Sequence, residues 1–438
     1  MPLRMDVWLY MVTWNVATRH PEEDLHEMLG LGTPGKQKMQ ERLPDFYVIG
    51  LQEVKSQPQN IVMDAIFDDP WTNAYRDVLA TRDYVKVKTI RLQGLLLSLF
   101  CLRKHLLHLR DIETQYTRTG FGGMWGNKGA VTIRLSIYGC SVCLVNCHLT
   151  PHDHLLQERI TDYNNIIRAQ IFRAKETSNI FFHDYVFWIG DLNFRLADGI
   201  NAEEIDRLIK KGELTRLLEK DQLRQAMSSG EAFSELTEQL PTFAPSYKFE
   251  FHSSQYDLKR RPSWTDRILF KVNANVYENL TLQAEQVLYR SAQDYVQSDH
   301  KPVMGEFVIK VFSDYYERVV EFLPVEPWYL DEENSASYTL SGDVQPTLWD
   351  WIGVFKDEFS SLDDYLCYVY AMRGAAGGNS NSRVKKVVFP DTAVRATGPY
   401  RLLYFSHNSG SVLGMSEAFE VRSRDNGHQT QFVCRDGY

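Results

Sequence analysis

Several residues whose side chains suit phosphate chemistry stand at the ends of apolar runs. Asn15 closes the first such run and Glu53 follows the second. His148 ends a middle run, Asp191 and Asn193 follow the apolar stretch 187–190, and Asp299-His300 precede the last. Glu53 offers a hard oxygen of the kind that holds Mg²⁺ together with waters and a substrate phosphate, and Asn15 can support that ion or its water. His300 can carry a proton, with either Asp299 or Asp266 as its partner carboxylate. Asp191 and Asn193 lie two apart, so on an extended segment both point the same way and can hold an attacking water. His148 can donate to a phosphate oxygen that gains charge in the transition state. Singly, each is an ordinary solvated strand end, a helix cap or a satisfied core histidine. Together on so many runs, they form a candidate site.

Strands must bring them together. Runs rich in Val, Ile and aromatic residues with turn-rich borders predict strands at 7–14, 46–52, 94–102, 130–135, 141–147, 185–189, 267–271 and 303–311. Helices are expected between them at 21–29, 156–174, 202–211 and 214–227, the second from the spacing of Ile160, Tyr163, Ile167 and Ile171. Interleaved strands and helices predict a layered α/β sandwich, and catalytic groups collect where its strands end side by side. Beyond 313 the pattern changes. Residues 313–335, with Pro324 and Pro327, read as a linker. Residues 336–421 read as short strands at 365–372, 384–389, 400–405 and 412–421 forming an all-β sandwich, and 422–438 as a polar tail.

Composition sets the limits. The 438 residues suffice for two domains, and 44% hydrophobic content supports two cores. A net charge of −9 argues against a nucleic-acid partner. Six cysteines impose no disulfide framework; Cys140, Cys143 and Cys147 read as small core residues, and reduced thiols fit a cytosolic compartment. No cleavable leader is evident, and the apolar run 94–102 is too short to cross a bilayer. Membrane contact is expected to be peripheral.

The motifs WNV (14–16), LQEV (51–54), GNKGAV (126–131), NCHL (146–149), WIGDLNFRL (188–196), PSWTDRIL (262–269) and SDHKPV (298–303) resemble, in order and spacing, the inositol polyphosphate 5-phosphatases. The resemblance implies a DNase I-like (endonuclease/exonuclease/phosphatase) two-sheet α/β sandwich over residues 5–312. It also implies a Mg²⁺-dependent hydrolase in which Glu53 and Asn15 hold the metal and Asp266 orients His300. Asp191 positions the water, Asn193 supports the phosphate, and His148 and Asp299 complete the pocket. For the substrate it implies that Tyr247, Lys248, Lys259 and Arg260 grip the ring's 4-phosphate and that Lys128 faces the 1-phosphate. Leu258 stands where family members often read Lys.

LWDWIGVF (348–355), GPYRLLYF (398–405) and SEAFEV (416–421) resemble a SKICH domain, which implies an immunoglobulin-like β-sandwich that docks protein partners. Trp328, Trp349 and Trp351 read as core residues there. The expected activity is removal of the 5-phosphate from phosphatidylinositol 4,5-bisphosphate and the 3,4,5-trisphosphate, with soluble inositol polyphosphates as further substrates. The expected location is the cytoplasm, peripheral at endoplasmic reticulum and plasma membrane. Competing expectations are a lipid-binding adaptor of weak activity and a nuclease- or sphingomyelinase-like phosphodiesterase of the same fold.

Overall fold

Residues 4–32, 42–55, 69–120, 125–273, 281–313, 319–341, 346–372 and 384–424 are described by the computed structural model. The chain divides into two compact units, Met1–Glu317 with Ser360–Leu362, and Arg318–Phe359 with Asp363–Tyr438.

In the first unit the strands are β1 (Arg4–Asn15), β2 (Phe46–Gln52), β3 (Tyr84–Leu92), β4 (Leu95–Leu102), β5 (Leu109–Thr119), β6 (Trp125–Ile137), β7 (Cys140–His148), β8 (Tyr185–Asp191), β9 (Asp266–Val272), β10 (Ala284–Ser291) and β11 (Val303–Phe312). They form a six-stranded sheet in the order β10-β11-β1-β2-β4-β3 and a five-stranded sheet in the order β5-β6-β7-β8-β9. Phe187 of one sheet packs on Phe307 of the other with ring centroids 5.0 Å apart. The sheets meet closely enough at Gly50 that a Cβ there would lie 2.6 Å from Ile189. Beside it, Asn146 crosses the gap: its amide donates to the carbonyls of Leu51 and Leu96 and accepts from Gln52 at 2.7 Å. The buried carboxamide therefore fixes the spacing of the two sheets near the ends that carry the candidate residues.

Outside the sheets lie α1 (Pro70–Ala80), α2 (Leu156–Ala169), α3 (Ala202–Lys210), α4 (Leu214–Leu218) and α5 (Gln222–Ser229). Helix α1 starts at Asp69, whose carboxylate caps the Trp71 and Thr72 amides, with Pro70 at the first helical position. Residues 21–29, expected to be helical, form turns instead. Tyrosine hydroxyls from the sheet side claim backbone carbonyls of this segment: Tyr10 bonds Met28, Tyr47 bonds Leu29 and Tyr295 bonds Asp24. The buried Leu25, Met28 and Leu29 reach the core without a regular helix. The helix expected at 214–227 breaks at Asp221, which caps α5 through the Arg224 amide and also pairs with buried Arg267. Helix α2 stops at Ala169, short of the expected 174.

The second unit is an all-β sandwich. Its strands are β12 (Val320–Phe322), β13 (Trp328–Tyr329), β14 (Asn334–Leu340), β15 (Trp351–Lys356), β16 (Cys367–Tyr370), β17 (Val384–Phe389), β18 (Gly398–Ser406), β19 (Ser411–Met415) and β20 (Phe419–Arg422). One sheet runs β12-β14-β17 and the other β13-β20-β18-β15-β16, with β19 on β18. Strands β12 and β13 fall within 313–335, the stretch read as a linker; its prolines flank short strands that pair inside this unit. Trp328 is a core residue, packed on Phe389 and Phe419 at 4.9 and 4.8 Å. Trp351 is half-buried and stacked on Phe405, whereas Trp349 is 53% exposed, contrary to a core role. Most of the tail read at 422–438 lies outside the described residues.

Candidate active site

Strand direction explains why the candidate residues meet. Strands β1 and β2 are parallel, so Asn15 ends one beside Gln52, the residue before Glu53. Strands β7 and β8 are also parallel and place His148 opposite Asp191. Antiparallel β9 begins at Asp266, paired with Asp191, and β11 begins just after His300. Six strand ends, of β1, β2, β7, β8, β9 and β11, thus converge at one end of the sandwich.

Gly190 makes the closest of these approaches possible. It sits at φ 144°, and a Cβ there would fall 2.1 Å from the Cys147 carbonyl oxygen. Only glycine takes up that conformation without strain. In the next register position His148 Nε2 comes to 3.3 Å from Asp191 Oδ2.

Asp191 is the hub. Its Oδ2 accepts from the Asn15 amide at 3.0 Å and lies 3.9 Å from His300 Nε2, while Oδ1 accepts from the Asn193 backbone N–H. Burial alone would raise its pKa, but His148, His300 and Lys128 hold the carboxyl well below the usual carboxylate range.

The alternative partners of His300 resolve cleanly. Its Nδ1 donates to Asp266 Oδ2 at 2.9 Å. Ser246 and Thr265 hydroxyls donate to the same oxygen, at 2.6 and 2.9 Å. Asp299 instead pairs with Lys248 at 2.8 Å. Burial depresses the His300 pKa, yet the Asp266 and Asp191 carboxylates outweigh it and raise the pKa to about 10. His300 is therefore a buried cation at neutral pH. The backbone around it is fixed by Trp14, whose indole donates to the His300 carbonyl, and by Ser298, which donates to the Asn15 carbonyl and accepts from the His300 N–H.

Lys128 Nζ lies 2.6 Å from His148 Nε2, turned into the cluster. Burial lowers both pKa values, and the Lys128 charge lowers that of His148 further. His148 is consequently neutral. Asn193 is not on an extended segment beside Asp191. It adopts φ 57°, a region open to asparagine, and its side chain turns to the Leu149 carbonyl and to Arg195. Tyr247 lies with its ring 4.5 Å from that of His300. Lys259 and Arg260 sit on an exposed loop, and among the described residues no hydrogen bond or ion pair joins their side chains to the cluster. Leu258, on the same loop, is exposed.

The donor set suits a hard divalent cation. Glu53 holds its carboxylate at the rim, 43% exposed, with Oε1 3.9 Å from His148 Nε2. The Asn15 amide is adjacent through Asp191. No thiol faces this point among the described residues: Cys147 accepts from the Trp188 indole within the core, and Cys140, Cys143 and Cys147 are free and buried. Oxygen donors without sulfur match magnesium-type ions. Among the described residues the metal-type grouping of His, Cys, Asp and Glu is Asp191, Asp266 and His300. Asp266 Oδ2 there is already shared by three donors, so it orients His300.

Residue-by-residue reading missed Ser246, Thr265 and Arg195. The first and second are hydroxyls next to residues already singled out; Arg195 follows Asn193 by two positions in the same motif.

A two-sheet sandwich whose converging strand ends carry a His–Asp pair, a second Asp and a hard-oxygen rim defines a phosphoesterase class of site. Residues 12–306 match the family signature described as Endonuclease/Exonuclease/phosphatase family 2, and residues 320–421 match the SKICH domain. The chain is 34% identical over 435 residues to mouse inositol polyphosphate 5-phosphatase K, covering 95% of this chain and 90% of that one. It is 35% identical over 422 residues to mouse phosphatidylinositol 4,5-bisphosphate 5-phosphatase A, covering 94% of this chain but 41% of that one. Among solved structures it resembles the inositol polyphosphate 5-phosphatase domain of SPsynaptojanin in complex with inositol (1,4)-bisphosphate and calcium ion. That match has a TM-score of 0.60 and 28% identity, and it covers 70% of this chain and 86% of the other. The chain belongs to the inositol polyphosphate 5-phosphatase family and carries a C-terminal SKICH domain.

Proposed function

We propose that this protein hydrolyses the 5-phosphate of phosphatidylinositol 4,5-bisphosphate and of the 3,4,5-trisphosphate, with soluble inositol polyphosphates as further substrates, and so damps phosphoinositide signalling. The observation that carries the reading is the buried His300–Asp266 pair facing ionised Asp191 beside the Tyr247-Lys248 segment.

His300, held protonated by Asp266, presents Nε2–H to a phosphate oxygen that gains negative charge as the reaction proceeds. Asp191, kept ionised, accepts a hydrogen bond from the attacking water and orients it. Water oxygen bonds to phosphorus while the bond from phosphorus to the ring oxygen breaks; the ring oxygen leaves as a hydroxyl carrying, net, one proton of the water, so inorganic phosphate carries one solvent oxygen. No covalent enzyme intermediate is involved. Neutral His148 and the Lys128 ammonium face the same phosphate from the other side of Asp191. Glu53 and Asn15 would hold a magnesium ion, and the chemistry it would supply there is charge neutralisation at the phosphate oxygens. Tyr247 and Lys248, the latter kept charged by its bond to Asp299, meet a neighbouring ring phosphate, with Lys259 and Arg260 exposed on the same hairpin. The protein works in the cytoplasm, peripherally at endoplasmic reticulum and plasma membrane, and its SKICH domain docks a protein partner.

The test is phosphate release from short-chain phosphatidylinositol 4,5-bisphosphate with and without Mg²⁺, with identification of the product isomer. Formation of the 4-phosphate that stops on chelation is the expected result. Absence of release by folded protein would overturn the reading in favour of a lipid-binding adaptor, and release unaffected by chelation would remove magnesium from it. His300→Ala should lower turnover by at least ~10²-fold in the same assay.

A further inference from the structure

Arg195 is 3% exposed, and among the described residues it makes no ion pair. A guanidinium buried without a carboxylate is costly unless other contacts compensate it. Here the compensation is specific to the site. Nε donates to the Asn193 carbonyl at 3.0 Å and Nη2 to Asn193 Oδ1 at 2.5 Å, so one side chain grips both the backbone and the carboxamide of a residue held at φ 57°. The Arg195 Cζ lies 4.4 Å from the centroid of the Tyr247 ring, whose centroid is 4.5 Å from that of His300. The Arg195 backbone is itself pinned, since its N–H donates to Gln222 Oε1 and its carbonyl accepts from the Gln222 N–H.

We propose that Arg195 is a positioning residue that couples the two functions of the site. It holds Asn193 beside Asp191, and it is the cationic platform on which Tyr247, and with it the phosphate-gripping segment, is registered against His300. The inference rests on the phosphatase reading above. A planar guanidinium can direct a fork of N–H groups at one neighbour and present its face to a ring at once, whereas an ammonium is a point charge that cannot do both.

Arg195→Lys and Arg195→Met separate the two roles. Lysine keeps a cation near Tyr247 but loses the fork on Asn193. Its kcat should fall by ~10–10²-fold, the scale of a small misplacement of catalytic groups, with KM within about threefold of wild type. Methionine removes the cation as well, so kcat should fall and KM rise about tenfold, the scale of a lost cation–π contact. Calorimetric affinity for inositol 1,4-bisphosphate should weaken by the same factor in Arg195→Met and hold in Arg195→Lys. A purely structural role would instead lower kcat with the folded fraction in both variants and leave KM and affinity alone, and that result overturns the proposal. Arg195→Lys with wild-type kcat overturns it too. It also decides the matter should Arg195→Met not fold. If wild-type protein released no phosphate, the proposed function would fall, while affinity kept by Arg195→Lys and lost by Arg195→Met would still establish the coupling to Tyr247.

Discussion

His300 shows how far a single residue's surroundings set its chemistry. An imidazole buried without company would lose its charge; next to Asp266 and Asp191 it keeps one up to about pH 10. The consequence for stability follows from the sign of that shift. Because the folded pKa lies above the free value of 6.5, the contribution is complete below pH 6.5 and fades as pH rises towards 10. The excess stability of wild type over His300→Gln should therefore be largest near pH 6 and shrink steadily to pH 10, as read by urea unfolding. Asp266→Asn removes the carboxylate that does most to hold the proton. Turnover should drop by ~10²-fold or more, and the pH profile of kcat should gain a new falling limb nearer neutrality. An unchanged profile would show that Asp266 does not govern the His300 proton.

Strands rather than loops bring the site together, and the element scale is where sequence reading was strongest and also where it failed most visibly. The apolar runs at 46–52, 141–147 and 303–311 became strands nearly as expected, because strands buried on most of both faces are written as largely apolar residues, interrupted here only by polar side chains such as Asn146 and Glu306. Strand β5 was missed because its sequence, LRDIETQYTRT, is that of a polar edge strand. The helix expected at 21–29 failed because tyrosines distant in sequence take its carbonyls. Local spacing contains no record of such partners. The pairing of β7 with β8 yields a test at this scale. Gly190→Ala should cost ~3 kcal/mol or more, from backbone strain and overpacking together. Loss of the His148–Asp191 contact should follow, with turnover falling even in the fraction that folds. Urea unfolding and kcat per folded molecule measure the two effects.

At the scale of the whole chain, the two units have separate cores: clusters around Trp14 and around Trp188 in the α/β sandwich, and one around Trp328 in the second unit. Among the described residues no helix is long and apolar enough to cross a membrane. Trp328→Ala should destabilise the β-sandwich by ~3–5 kcal/mol, the scale for emptying an aromatic site in a core, and differential scanning calorimetry should register it in the transition of that unit. A variant that melted like wild type would show that Trp328 is not the centre of that core.

The sequence by itself determined the class of this protein. Asn15, Glu53, His148, Asp191, Asp266 and His300 could be picked out because each follows or precedes an apolar run, and a strand end is a position that a linear pattern can mark. The change of pattern after 313 likewise announced a second domain, although the strands at 320–322 and 328–329 were too short for periodicity to reveal. Tertiary structure decided everything that depends on which side chains face each other. It gave His300 to Asp266 and Asp299 to Lys248, turned Lys128 towards His148, and rotated Asn193 out of the extended conformation into the grip of Arg195. The physical reason is that composition and spacing fix burial and strand direction, whereas partners and protonation are set by distances of a few ångströms between residues far apart in the chain.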